Sequence, residues 1–157
     1  MRMRAERRRA REAAMRALYQ VDLSGCAEEW AIQCALEQSH DLDLGERGKS
    51  FARQLVLGSC ERKQDIDGIM AEVAHDWAVN RMSPTDRNIM RIAVYEMLYL
   101  ESVPVASSID EAVEIAKLYG SADSPRFVNG ILGTLADRLK RQASGGTAEG
   151  GDGDTAR

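Results

Sequence analysis

The chain has 157 residues and a formal net charge of −4, from 21 Lys and Arg against 25 Asp and Glu. A hydrophobic fraction of 44% is enough for one packed domain and excludes a chain disordered throughout. The start carries arginines where a secretory leader carries an apolar run, and no stretch nears 18 uncharged apolar residues, so the expectation is a cytoplasmic protein without a membrane span.

The net charge hides an asymmetry. Residues 1–16 hold seven Arg and two Glu, a net of +5, whereas the other residues hold 14 bases and 23 acids, a net of −9. A basic arm on an acidic body points to a polyanion partner. Cys26, Cys34 and Cys60 lie far apart, with no CxxC and no histidine at ligand spacing. That predicts neither a disulfide framework nor a metal or cofactor.

Helical periodicity dominates, and no alternating β-branched run reaches five residues. After a flexible end at 1–5, a first helix is predicted from about Glu6 to Leu23, with Ala10, Ala14, Ala17 and Val21 as its apolar stripe and Ser24-Gly25 as its stop. A second covers about 27–38 and carries Trp30, Cys34 and either Leu36 or Ala31 inward. A third covers about 46–59, with Phe51, Leu55 and Val56, and a fourth roughly 62–74, with Ile66, Ile69, Met70 and Val73. Ser83-Pro84-Thr85-Asp86 supplies an N-cap, a proline at the first helical position and an acid at the third. The helix it opens, to about Leu100, is apolar on most sides and should be central. Ser108-x-x-Glu111 has a capping-box pattern, so the next helix begins between 105 and 109 and runs to Tyr119, stopped by Gly120. Asp123-Ser124-Pro125 restarts the chain into a last helix bearing Phe127, Val128, Ile131, Leu132, Leu135 and Leu139. Residues 142–157 hold five glycines and no large apolar side chain, the composition of a disordered tail. The expectation is an all-α domain of about seven helices over 6–141.

At about 100° per residue, Arg4, Arg7, Arg8 and Arg11 fall on one flank of the first helix. Guanidinium forks match phosphate oxygens and stay charged, so a nucleic-acid face is favoured. An ordinary solvated face is the alternative; an alanine-rich stripe buries too little area to hold a bilayer. Tyr19 and Phe127 are candidate stacking platforms or core residues, and Trp30 and Trp77 read most simply as core. Gly48-Lys49-Ser50 ends like a phosphate loop, but Asp43 stands where that loop needs glycine and no apolar strand precedes it. His75 reads as a cation near a helix C-terminus, and no residue pattern demands a catalytic cysteine or an enzyme.

Four segments resemble, in order, the NusB family of transcription antitermination factors: Glu6 to Gln20 (ERRRAREAAMRALYQ), Met90 to Met97 (MRIAVYEM), Val103-Pro104 with Ile109 to Gly120 (IDEAVEIAKLYG), and Phe127 to Leu132 (FVNGIL). The resemblance implies two small helical bundles packed together. It implies binding to the boxA element of nascent RNA with NusE, a small-subunit ribosomal protein, and entry into the RNA polymerase elongation complex with NusA and NusG on ribosomal RNA operons. Carried over by position, the RNA-binding residues are Arg7, Arg8, Arg11, Tyr19, Asp123, Ser124 and Phe127. The NusE contacts are Asp86 and its exposed neighbours Arg87 and Met90. Asp123 either accepts from a base amino group or caps the last helix. Some members self-associate, so a homodimer stands among the partners. Alternatives are a module related to the N-terminal domain of ribosomal RNA methyltransferases, for which a chain of this length leaves no methyl-donor domain, a protein-binding scaffold, and a nucleotide-dependent enzyme.

Overall fold

Seven α-helices account for most of residues 2–145, the part of the chain that the computed structural model describes. They are α1 (Arg2–Ser24), α2 (Glu28–Gln38), α3 (Glu46–Glu61), α4 (Lys63–Val73), α5 (Pro84–Tyr99), α6 (Val105–Tyr119) and α7 (Ser124–Gly145). Single 3₁₀ turns at His40–Leu42 and Val79–Arg81 join them. Two ends differ from expectation. α1 is helical from Arg2, so residues 2–5 of the expected flexible end belong to it. α7 continues through Gly145, which places 142–145 in the helix; the expected disordered tail beyond them lies outside the described residues.

Local chemistry explains several boundaries. α1 stops before Gly25, whose φ of +68° is left-handed backbone that glycine adopts without penalty. Ser83 Oγ accepts the Asp86 N–H at 3.1 Å and Pro84 occupies the first turn of α5, the cap read from the sequence. α3 opens at Gly45, which has no side chain to cap with. Glu6 of α1 fills that role, accepting the Gly48 N–H at 3.2 Å. The N-terminus beside Gly48-Lys49-Ser50 therefore already holds a carboxylate, where a phosphate loop would need room for an anion. The Ser108-x-x-Glu111 pattern is not a capping box. α6 opens after Pro104, and Ser108, one turn inside, is buried and donates to Glu96 Oε2 at 2.9 Å.

α1, α2 and α3 pack as one bundle and α4 to α7 as a second. α5 touches α1, α3, α4, α6 and α7, the central position its apolar surround predicts. The main core is continuous across the seam, with Met15 and Leu18 of α1, Leu55 and Val56 of α3, Met90 and Val94 of α5, and Leu132 and Leu135 of α7. α2 is rotated from the expected stripe. It buries Ala31, Ile32 and Ala35 and leaves Trp30 53% exposed. Ala13, Ala14 and Ala17 face it from α1, and a tryptophan in that alanine seam would hold the two helices apart. Trp77, in the irregular segment after α4, is 56% exposed, so neither tryptophan is core. α3 meets α5 through Gly58, where a Cβ would stand 2.1 Å from the Tyr95 ring.

A half-buried ionic cluster ties the bundles at the other end of α1. Asp22 Oδ2 accepts from Arg87 Nε at 2.6 Å and Asn88 Nδ2 at 2.9 Å, and Arg91 bridges Asp22 and Asp67 of α4. Burial alone would raise the Asp22 pKa; the bonds from Arg87 and Asn88 outweigh it and hold the carboxyl below its ordinary value. Stability from Asp22 is therefore complete above the ordinary carboxylate pKa of about 4 and is lost as pH falls through its lower folded value.

Two outcomes follow for thermal melts. Gly58→Ala should lower stability by about 1–3 kcal/mol, since the ring and the helix cannot both keep their places. The melting temperature should decline below about pH 4, and Asp22→Asn should make that decline shallower; an unchanged acid profile in the variant would show that Asp22 carries none of it.

Candidate nucleic-acid interface

Residues three and four apart share a helix face, so Arg4, Arg8, Arg11, Met15 and Tyr19 form one row along α1. The row runs beside α6, and α6 supplies the acid that meets its first members. Glu111, 3% exposed at its side chain, accepts from Arg8 Nε at 2.6 Å, Arg8 Nη2 at 3.2 Å and Arg4 Nε at 3.2 Å. Burial would raise the Glu111 pKa, and the bonds from Arg8 and Arg4 overcome that and hold it low. Arg8 remains 35% exposed and Arg4 72% exposed, so both present donors to solvent.

Arg11, expected among the RNA-binding residues, is buried in the seam. Its side chain is 5% exposed and meets Glu96 of α5 in a two-pronged pair, Nε to Oε1 at 2.7 Å and Nη2 to Oε2 at 2.8 Å. One helical turn places Arg11 about 40° from Arg7, enough to move it from the surface into the seam. Arg7 is exposed, its guanidinium 5.2 Å from the centre of the Phe51 ring. Beside it, Arg7, Arg47, Glu6 and Phe51 line a shallow cavity of about 360 Å³ between α1 and α3. Arg47 has no neighbouring arginine in sequence to mark it, and only the packing of α3 on α1 brings it beside Arg7. Arg16 is engaged, with Asp41 at 3.0 Å and Tyr119 Oη at 2.7 Å. Tyr119 in turn donates to Glu12 at 3.1 Å.

Tyr19 is 39% exposed, on the same face as Arg8 and roughly 16 Å further along the axis. The turn between α6 and α7 holds the remaining expected residues. Ser124 is 1% exposed, and its Oγ accepts the Ser121 N–H at 2.9 Å. It shapes the turn and cannot present its hydroxyl to RNA. Asp123 is exposed, and its carboxylate has no partner among the described residues, so it does not cap α7. Phe127 is half-buried and meets the Trp77 ring edge-on, centroids 5.9 Å apart at 75°. Trp77 thus joins the cluster, although periodicity gave no sign of it. His75 lies two residues past α4, exposed at the rim of the same depression.

The expected NusE contacts fare unevenly. Met90 is fully buried and cannot touch a partner. Arg87 is mostly covered, held by Asp22 and by the carbonyls of Asn80 and Met82. Asp86 is 8% exposed at the start of α5, and its Oδ1 lacks a partner among the described residues. Burial pushes the Cys60 thiol up to about 11, so it is protonated at neutral pH and is no nucleophile. Among the described residues no helix is long and apolar enough to cross a membrane.

A model of the NusB family matches residues 8–137. The transcription antitermination protein NusB of Desulforamulus reducens is 43% identical over 137 residues, which cover 87% of this chain and 94% of that protein. The solved NusB of T. maritima has a TM-score of 0.76 at 35% identity, covering 87% of this chain and 96% of that one. A NusB solved with NusE and double-stranded RNA has a TM-score of 0.77 at 24% identity over 85% and 97% of the two chains, a likeness of fold.

Arg7→Ala and Arg11→Ala should separate binding from folding. The second leaves Glu96 buried without its cation and should cost about 3–5 kcal/mol in denaturant unfolding. The first should melt like the parent; a parent-like melt for Arg11→Ala instead would refute the buried pair.

Proposed function

Since this chain belongs to the NusB family, we propose that it is a transcription antitermination factor. It binds boxA-type single-stranded RNA with NusE and joins RNA polymerase, NusA and NusG on ribosomal RNA operons. The supporting observation is the arginine set on α1 and α3, with Arg2, Arg4, Arg7 and Arg47 exposed and Arg8 partly so, on a chain that is otherwise acidic. Arginines set the register of the phosphates, and Tyr19, Asp123 and Phe127 meet the bases. The site offers no catalytic constellation, and the protein acts by binding, in the cytoplasm.

The partner surface is held less by Arg87 and Met90 than the resemblance implies. Asp86 is the member of that trio with an unengaged oxygen, but that oxygen is buried, so a donor from NusE reaches it only if the start of α5 shifts. A related NusB fold was solved with double-stranded RNA. In this chain the aromatic edges of Tyr19 and Phe127 favour an unpaired strand, because a base inside a duplex cannot reach them.

Gel shifts with boxA RNA, with and without NusE, test the proposal. Binding should be weak alone and tighter with NusE, and a duplex of the same sequence should compete poorly. With Arg11 withdrawn, two or three phosphate contacts give log K against log salt a slope of roughly −1.4 to −2.1. A flat salt response, or boxA affinity unchanged in Arg7→Ala/Arg8→Ala, would sink the arginine face.

A further inference from the structure

We propose that the trough between α2 and α3 docks a basic amphipathic helix of a partner protein, seated on Trp30. The trough measures about 800 Å³, more than twice the cavity beside Arg7. Ile32 and Leu36 of α2 and Leu44 of the segment before α3 line it together with Trp30. Trp30 is 53% exposed, and Leu36 and Leu44 are half-buried. An open tryptophan beside half-covered leucines is the composition of a protein-binding anchor. The trough also stands apart from the arginine face. Lys49 and Arg53 line it from α3, whereas Arg47 and Phe51 line the cavity beside Arg7. Lys49 and Phe51 are about 200° apart around the helix, so α3 separates the two cavities. The expected NusE contacts lie on α5, in the other bundle.

The walls choose the occupant. Both are helices whose backbone groups bond internally, so the trough offers no strand edge to an extended peptide. A docked chain must satisfy its own backbone, as a helix does, and present apolar side chains three and four residues apart. Charge sets the rest. The cations at the walls are engaged: Arg53 pairs with Glu29, and Lys49 lies 3.6 Å from Glu46. Glu37 and Asp43 have no cationic partner among the described residues. Glu37 accepts from the neutral Gln33 amide at 2.9 Å. Both acids are exposed. Free carboxylates beside an indole suit lysine or arginine, which pairs with the acid and lies over the ring. The same carboxylates repel the phosphates of an RNA strand. A two-fold contact between copies of this chain would set these acids against their own kind.

Two acetylated peptides of about four helical turns test the inference, each with leucine on one face and either lysine or glutamate on the other. The chain has two tryptophans, so full-length Trp77→Phe keeps Trp30 as its sole indole. The lysine peptide should shift Trp30 emission to the blue, and the glutamate peptide should leave it unchanged. With fluorescein-labelled peptides, Trp30→Ala should weaken lysine-peptide binding about tenfold, the loss of one interface anchor. Glu37→Gln/Asp43→Asn should weaken it several-fold and flatten its salt dependence. All three side chains are exposed, so these variants should keep the parent melt and the parent affinities for boxA RNA and NusE. Lysine-peptide binding that ignores Trp30→Ala is general attraction to an acidic chain and overturns the inference. Loss of NusE affinity in Trp30→Ala overturns it too, by making the trough part of the NusE surface. A dimer that Trp30→Ala converts to monomer does the same, with a second copy as the occupant. If neither peptide binds, the trough is not a helix-docking site. None of these results bears on the arginine face, which the boxA gel shifts test separately.

Discussion

The buried pair between Arg11 and Glu96 fixes how the two bundles meet. Arg11 comes from α1, Glu96 from α5, and Ser108 of α6 donates to the same carboxylate. Two charges with side chains 5% and 1% exposed are tolerable only if each finds the other in good geometry, since desolvation otherwise outweighs their attraction. The bidentate fork supplies that geometry. A one-residue slide of α1 would strand both ions, so the pair sets the register of α1 against α5 and α6. That register turns Arg4 and Arg8 towards α6 and Arg7 towards α3. The place of the proposed RNA face is thus decided in the seam, by an arginine that never reaches the surface.

How much of this was legible in the sequence depends on the range of the interaction. Caps and periodicity are local, and they located all seven helices and the central place of α5, with Ser83-Pro84 as the sharpest signal. Pairing between residues 85 or 103 positions apart leaves no local mark. Arg7 and Arg11 look alike in sequence, and only the neighbour across the seam tells them apart. One clue was available: Glu96 stands in a helix otherwise apolar on most sides, and a buried acid needs a base. Glu111 is a second case, disguised by the spacing of a capping box. The tryptophans mislead in the other direction. Size and apolarity argue for burial, but an alanine seam has no room for Trp30, and Trp77 sits where the chain has no helical period.

Charge therefore divides differently from the opening asymmetry. Arg4 and Arg8 share Glu111, Arg11 holds Glu96 and Arg16 holds Asp41, so four of the seven arginines in the arm are met by acids of the body. Much of the −9 remainder is not an independent acidic surface; part of it neutralises the arm on which it packs. The outward field is weaker than +5 implies, and phosphate attraction alone makes a modest contribution to affinity. Base contacts and a second protein then have to carry a larger share, which accords with a factor that works in company.

The acids that reduce the arm's charge also prepare it. A free arginine side chain loses rotamer freedom when it grips a phosphate. Glu111 already holds Arg8 through Nε and Nη2 and Arg4 through Nε. A guanidinium has five N–H donors, so each arginine keeps donors free for a phosphate oxygen while its stem stays anchored. The low Glu111 pKa keeps that anchor ionised throughout the neutral range. In the proposed function, part of the ordering cost of RNA binding is thereby met when the chain folds. On that proposal the same carboxylate would limit how many phosphates the arm attracts and fix where they sit, trading affinity for register.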